Sequence, residues 1–267
     1  MLPLLVVVPF GPLLAWKRGD LYAVAQRLMV AFAAALLAML VTGLFIDGAS
    51  VFAALGVGVA CWLVCGALTD LAVKSGFGNV SPAIMLRRFA GLPRSVFGTA
   101  LAHLGLGLTT LGIVGTLCFG TEKILSMHAG ESVELSGHTL RFEGLYPAQG
   151  PNYSEDRGRF SLIGADGGIA AEITSAKRFF PVRQTTTTES GIETIGFSQL
   201  YLSLGDEGTD GSVVVRLWWK PLVTLIWGGA LVMMAGAAMS LFDRRLRVGA
   251  PSRRRKPTVA MPSAGLP

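Results

Sequence analysis

Residues 98–119 read GTALAHLGLGLTTLGIVGTLCF, an apolar stretch that contains one imidazole, that of His103. About 20 apolar residues are enough to cross the hydrocarbon core of a bilayer, so this stretch predicts a transmembrane helix. An ionisable side chain at that depth costs roughly 2.5–3.5 kcal/mol or more and usually has a partner or a function. His103 is therefore the first candidate functional residue.

Small residues form a stripe along one side of this predicted helix. Helical spacing of four, three, four and three places on it Gly98, Ala102, Gly105, Thr109 and Gly112. Stripes of this kind let two membrane helices approach closely. The sequence therefore predicts a second helix packed against this side.

The face of His103 itself carries Thr99, Gly107 and Thr110. Their small side chains predict an open shelf beside the imidazole, on which a flat ligand could lie. Two interpretations of His103 stay open on the residues alone. It is either a ligand to such a group or the donor of an interhelical hydrogen bond to a hydroxyl or a backbone carbonyl.

The composition of the whole chain is that of an integral membrane protein. Hydrophobic residues make up 51%, charged residues only 15%, and the mean hydropathy is +0.55, all outside the range of ordinary soluble domains. Four apolar runs are long enough to span a bilayer, and the shorter run at residues 2–15 is expected to be the end of a fifth span. The long runs are residues 24–46, 51–73, 96–119 and 221–242. We therefore predict a polytopic α-helical protein with about five transmembrane helices, four of them within residues 1–119.

Lysine and arginine concentrate in alternate connections. Residues 16–27, 74–95 and the tail 244–267 hold 14 of the 23 basic residues, which places all three in the cytoplasm by the positive-inside rule. Ser81-Pro82 opens a short amphipathic helix in the second of these segments, so an interfacial connector is expected there. Asp70 is expected to extend to the interface from its helix end. Nucleic-acid binding is disfavoured because no basic stripe interleaved with aromatics is present.

Residues 120–217 are the one stretch whose pattern predicts a soluble domain, and the pattern is that of β-strands. Alternating residues around turn signals predict three hairpins. These pair residues 131–135 with 139–146, 158–164 with 169–174 across the turn 165–168, and 200–204 with 212–217. About six strands would form a small extracytoplasmic sandwich or barrel. Trp218 and Trp219 then lead, as interfacial aromatics, into the last span, residues 218–243.

No familiar catalytic or metal-binding pattern can be assembled elsewhere in the sequence. The three cysteines lack CxxC or zinc spacing, and neither a Ser/His/Asp set nor a phosphate loop occurs. His128 and His138 stand in the β region without cysteines or carboxylates at ligand spacing and are expected to be surface imidazoles. His103 remains the one candidate.

Several motifs, taken together and in order, resemble the C-terminal part of the CcmF family of bacterial cytochrome c maturation. They are FGPLLAWKR (10–18), LAHLGLG (101–107), GPNY (150–153), KRFFPVRQTTTTESGIET (177–194), LYLSLGD (200–206) and RLWWKPLVTLIWGGALVMMAGA (216–237). The resemblance implies a haem lyase component of the bacterial inner membrane with its β domain in the periplasm. It also implies that His103 is an axial ligand to the iron of a haem b, beside Thr99, Gly107 and Thr110.

The family resemblance further implies partners for this chain. They are an N-terminal CcmF half that supplies the second axial ligand, the CcmE haem chaperone, the CcmH/CcmI components and apocytochrome c. The tryptophan-rich outer loop, the outer histidine pair and the second transmembrane histidine of the family do not occur in these 267 residues. The expectation is thus a split-gene product or a fragment, inactive as a haem lyase by itself. The alternative is a haem-free membrane scaffold that docks apocytochrome or other maturation proteins.

Overall fold

The computed structural model describes residues 2–14, 19–46, 48–164 and 166–243, so the basic tail and the four residues 15–18 lie outside it. Its helices are α1 (Leu2–Val7), α2 (Leu21–Phe45), α3 (Val51–Ser75), α4 (Pro82–Ala90), α5 (Arg94–Cys118) and α6 (Thr224–Leu241), with a 3₁₀ helix at Val8–Leu13. Within the described residues four of them, α2, α3, α5 and α6, are long and apolar enough to cross a membrane. The chain is a multi-pass membrane protein, and the part that the structure describes contains four such helices rather than about five.

The apolar run at the N-terminus differs from its prediction as a span. α1 has six residues and passes directly into the 3₁₀ helix, because Pro9 and Pro12 lack the N–H groups that an α-helix needs. This segment packs against α3 instead. The indole Nε1 of Trp62 donates a 3.0 Å hydrogen bond to the carbonyl of Val6, and a Cβ at Gly66 would lie 2.5 Å from the Pro9 Cβ.

The helix ends are capped partly by residues next to them in the sequence and partly by a residue that is distant in the sequence. The Asp20 carboxylate accepts two backbone N–H groups at the start of α2, and Gly76 ends α3 in the left-handed conformation. The connector helix predicted after Ser81 is confirmed as α4. The start of α5 is capped from the other end of the chain, because Asp243 Oδ2 accepts the backbone N–H of Ser95 at 2.9 Å.

Between α5 and α6 the chain forms a two-sheet β-sandwich. The sheets have the strand orders β1-β9-β8-β7 and β2-β3-β4-β5-β6, and neighbouring strands are antiparallel. The strands are β1 (Thr121–Met127), β2 (Ser132–Leu135), β3 (His138–Gln149), β4 (Ser154–Ile163), β5 (Ile169–Phe180), β6 (Thr185–Glu189), β7 (Gly191–Ile195), β8 (Ser198–Glu207) and β9 (Val213–Lys220). Their inward side chains bury one core, in which the rings of Phe142 and Phe160 stack with centroids 4.9 Å apart.

All three predicted hairpins are confirmed, as β2–β3, β4–β5 and β8–β9, although Ala165 of the second turn lies outside the described residues. The strands that the sequence did not predict are β1, β6 and β7. The β1 and β6 segments lack inward-outward alternation, and β6, TTTTE, is exposed at every position. β1 is placed in its sheet by pairing with the distant strand β9, whereas β6 pairs with the preceding strand β5 and β7 with the following strand β8.

A buried carboxylate joins β4 to β5. The Glu155 side chain is 1% exposed, and the guanidinium of Arg178 donates a 2.7 Å hydrogen bond to it through Nε while Arg157 donates to its other oxygen. The hydrogen bond from Arg178 is the main reason that the pKa of Glu155 is lowered from 4.5. Glu155 therefore stays charged in the folded sandwich to lower pH than in the unfolded chain.

Replacing Glu155 with glutamine is expected to destabilise the sandwich at neutral pH and to flatten its response to acid. A carboxyl with a depressed folded-state pKa contributes stability above its unfolded pKa and loses it as the pH falls through the folded value. The measurement is hydrogen–deuterium exchange of β4 and β5 peptides in the detergent-solubilised chain, from pH 7 down to pH 3. Glu172→Gln, at an exposed site on β5, is the matched control. Identical pH profiles for the two variants would contradict the prediction.

Candidate functional site around His103

α5 lies between α3 and α6, and its stripe of small residues faces α6 as predicted. A Cβ added at Gly105 would lie 2.5 Å from the carbonyl oxygen of Gly229, and one added at Gly98 would lie 2.5 Å from that of Gly236. Because both helices present glycines, their backbones touch along a seam, which Gly98 and Gly105 of α5 form with Gly229 and Gly236 of α6. The seam holds α5 firmly on this side.

The opposite side of α5 packs against α3 through Gly107. A Cβ at Gly107 would lie 2.6 Å from Val64 Cγ2 and 3.2 Å from the carbonyl oxygen of Ala60. The open shelf expected beside His103 is therefore wrong at this residue, because α3 fills the space. The sequence showed that Gly107 is small but could not show which neighbour uses the room.

His103 lies at the edge of the α3 contact, one helical turn before Gly107 on α5. Its ring is half-buried, next to the side of α5 that carries Ile113 and Leu117, which are 43% and 78% exposed. Among the residues that the structure describes, the imidazole has no hydrogen-bond partner. The interhelical hydrogen bond that the sequence left open is thus not formed in this part of the chain, and both ring nitrogens are available.

The two threonines predicted beside His103 satisfy their hydroxyls within α5 itself. Thr99 Oγ1 donates to the carbonyl of Ser95 at 2.9 Å, and Thr110 Oγ1 donates to that of Leu106 at 2.8 Å. Such bonds to the preceding turn are common for threonine inside helices. The side of α5 next to His103 therefore presents small side chains whose hydroxyls need no further partner.

A charged pair close to His103 was not recognised from the sequence. Asp70 on α3 does not reach the interface as expected: its side chain is 1% exposed, and Lys74 Nζ lies 2.7 Å from Oδ1 and 2.8 Å from Oδ2. The short aspartate side chain cannot extend past the packed helices, whereas the lysine stem can. Both charged groups lie within electrostatic range of the His103 imidazole. An acid inside an apolar run with lysine four residues later was the signal available in the sequence.

The two histidines of the sandwich lie away from any set of ligands. His128 Nδ1 is 3.5 Å from Glu131 Oε1, its Nε2 is 3.8 Å from Asp210 Oδ2, and all three side chains are at least half exposed. The His138 ring lies 4.6 Å from that of Trp219. Across the described residues, no group of three His, Cys, Asp or Glu side chains could hold a metal ion.

Comparison with known proteins finds relatives for both the β-sandwich and the helical region of this chain. A family model described as the CcmF C-terminal beta-sandwich matches residues 118–221, which include all nine strands. The cytochrome c-type biogenesis protein CycK of Rhizobium meliloti is 55% identical over 257 residues, covering 96% of this chain and 38% of that protein. CcmF of Escherichia coli is 30% identical over 250 residues, covering 92% of this chain and 36% of that protein.

A solved structure of the cytochrome c haem lyase CcmF shares the fold, with a TM-score of 0.67 at 18% identity over 89% of this chain and 38% of that one. The chain thus spans under two fifths of the length of the relatives that it matches. The sandwich matches the family model, and nearly the whole chain aligns with CycK. The chain therefore belongs to the CcmF family of cytochrome c-type biogenesis proteins and corresponds to the C-terminal part of its members.

Proposed function

We propose that this chain is the C-terminal part of a component that attaches haem to apocytochrome c, and that His103 is an axial ligand of a haem b within the membrane. The observation that carries this proposal is an imidazole in a spanning helix, half-buried and without a hydrogen-bond partner in the described chain. An intramembrane polar group left unpaired is costly, so its retention favours a ligand.

The residues around His103 fit such a group. A neutral imidazole donates an electron pair to haem iron, and haem bound here would supply a one-electron redox centre. The glycine seam with α6 fixes the helix that carries the imidazole. Thr99 and Thr110 leave no unpaired hydroxyl beside it. Gly107 does not contribute to such a site, because α3 fills the space there.

One histidine fills one axial position, so the second ligand would come from outside this chain. The relatives are more than twice as long as the matched segment, which leaves room for an N-terminal CcmF part that supplies it. The same assembly would bring in the CcmE chaperone, the CcmH/CcmI components and apocytochrome c. The resemblance to the family supports these partners, since the relatives are cytochrome c-type biogenesis proteins.

The distribution of charge supports a bacterial inner-membrane location with the sandwich in the periplasm. The connector carrying Arg87 and Arg88 and the start of α2 lie at one end of the helices, and the sandwich follows the other end of α5. Short connections rich in lysine and arginine stay in the cytoplasm. Reporter fusions after Gly120 and after Arg247 are expected to show opposite sidedness, and the same side for both would contradict this orientation.

The test of haem ligation uses this chain co-expressed with the part of the Rhizobium meliloti relative that it does not match. The purified complex is expected to show the reduced absorption spectrum of a haem b. His103→Ala should lower the bound haem by roughly tenfold or more, because an axial ligand is removed. His128→Ala and His138→Ala are controls that should retain it. Unchanged haem in His103→Ala would show that His103 is not an axial ligand, whereas a wild-type complex without haem would favour the haem-free scaffold.

A further inference from the structure

Asp70 on α3 is the one buried charged side chain among the described residues of the spanning helices. Asp70 lies five residues before the end of α3, and its carboxylate is 1% exposed. Lys74 contacts both oxygens, but only the contact to Oδ2 has hydrogen-bond geometry, so Oδ1 accepts no hydrogen bond in the described chain. A buried ion pair is weak evidence for stability, because desolvation offsets much of the attraction. The retention of this ion pair is therefore better explained by a function than by its contribution to stability.

The packing of α3 on α5 brings this pair next to His103. Ala60 and Val64 meet Gly107, and further along the antiparallel helices a small cavity of about 150 Å³ is lined from both. Its lining includes Leu71 of α3 and Leu104 of α5. Asp70 and His103 immediately precede these two leucines in the sequence. On α3 the lining covers residues 67–71 and on α5 residues 97–104, so the carboxylate and the imidazole border the same section of the α3–α5 interface.

Given the haem ligation proposed above, we propose that Asp70 and Lys74 are positioning residues that set the electrostatic environment of His103 and thereby the reduction potential of the haem it binds. The pair presents two opposite charges on one turn of α3, and only the lysine reaches outward, with 30% of its side chain exposed. The buried carboxylate is shielded less by solvent than the ammonium group. The negative charge is thus the stronger influence on the ligand.

The sign of the effect follows from the charge of the iron. A nearby carboxylate stabilises ferric over ferrous iron and lowers the potential, whereas a nearby ammonium group does the opposite. Asp70→Asn is therefore expected to raise the potential, and Lys74→Met, titrated at a pH high enough to keep the unpaired Asp70 carboxyl ionised, is expected to lower it. The expected shift is of the order of tenfold in the equilibrium constant between the two oxidation states, which for one electron is about 59 mV.

The experiment is a spectroscopic redox titration of the co-expressed, haem-loaded complex. Asp70→Asn and Lys74→Met are measured singly and together, and the double variant is expected to return towards the wild-type potential. Asp20→Asn removes the same charge from an exposed helix cap and is the matched control, since asparagine caps a helix equally well.

Opposite shifts in the single variants, with haem retained and Asp20→Asn unshifted, support the proposal, because a merely structural role would not reverse with the sign of the charge. Shifts in the same direction, no shift, or loss of haem in either variant would overturn it while leaving His103 as the ligand. A wild-type complex without haem would overturn the ligation and this inference together.

Discussion

Replacing Gly229 with leucine is expected to separate α5 from α6 and to lower the unfolding temperature of the helical region by several degrees. A Cβ at Gly229 would lie 2.5 Å from the carbonyl oxygen of Gly105 and 2.6 Å from the backbone nitrogen of Thr109. Both contacts are backbone atoms of α5, so no rotamer change can relieve them. Overpacking of this kind costs about 1–3 kcal/mol and occasionally more.

The neighbouring glycine supplies a matched control. Gly228 also lies on α6, but a Cβ there meets nothing within 4 Å. Leucine at this position gains up to about 1 kcal/mol of helix propensity without a clash, so Gly228→Leu is expected to be neutral or stabilising. Thermal unfolding in detergent and hydrogen exchange of α5 and α6 measure both variants. Equal effects at the two sites would show that the seam does not hold these helices together.

The loss of the seam should also reach the candidate site. α5 carries both the glycines of the seam and His103, so a helix displaced from α6 no longer holds the imidazole at a fixed position. Gly229→Leu is therefore expected to lower haem retention in the co-expressed complex, whereas Gly228→Leu is not. Full haem retention in Gly229→Leu would show that haem binding at His103 does not depend on the seam.

Expressed alone in a strain that lacks its own CcmF, this chain is expected to insert into the membrane and to yield no detectable holocytochrome c. It offers one imidazole within a predicted span, whereas the family resemblance implies two axial ligands for the membrane haem. The expected effect is all-or-none, measured by haem staining of c-type cytochromes after membrane insertion has been verified by immunoblot.

Supplying the unmatched part of the Rhizobium meliloti relative as a second polypeptide should restore covalent haem attachment. Membrane helices associate through close packing without a peptide link, so the two parts can assemble after separate insertion. His103→Ala in the same co-expression should abolish the restored cytochrome. Holocytochrome c produced by this chain alone would require the account of the second ligand to be abandoned.

Local pattern was sufficient for much of the architecture. The four long apolar runs became α2, α3, α5 and α6, and the alternation around turn residues located three hairpins. The shorter N-terminal run, expected to be the end of a fifth span, is helical over residues 2–13 but too short to cross a membrane, and its second half, with Pro9 and Pro12, is a 3₁₀ helix. β6 was missed because an edge strand with every side chain exposed carries no alternation.

For the site, the sequence by itself determined that one imidazole, that of His103, sits in the span 98–119, and that a glycine stripe on the same helix requires a close neighbour. Spacing along one helix is enough for both, because the helical period assigns residues to faces. Tertiary structure alone decided which helix meets each face: α6 lies on the stripe, α3 closes over Gly107, and Asp70 is buried within electrostatic range of His103. Such contacts join residues far apart in the chain, and the space that each glycine leaves is filled by whichever helix packs there.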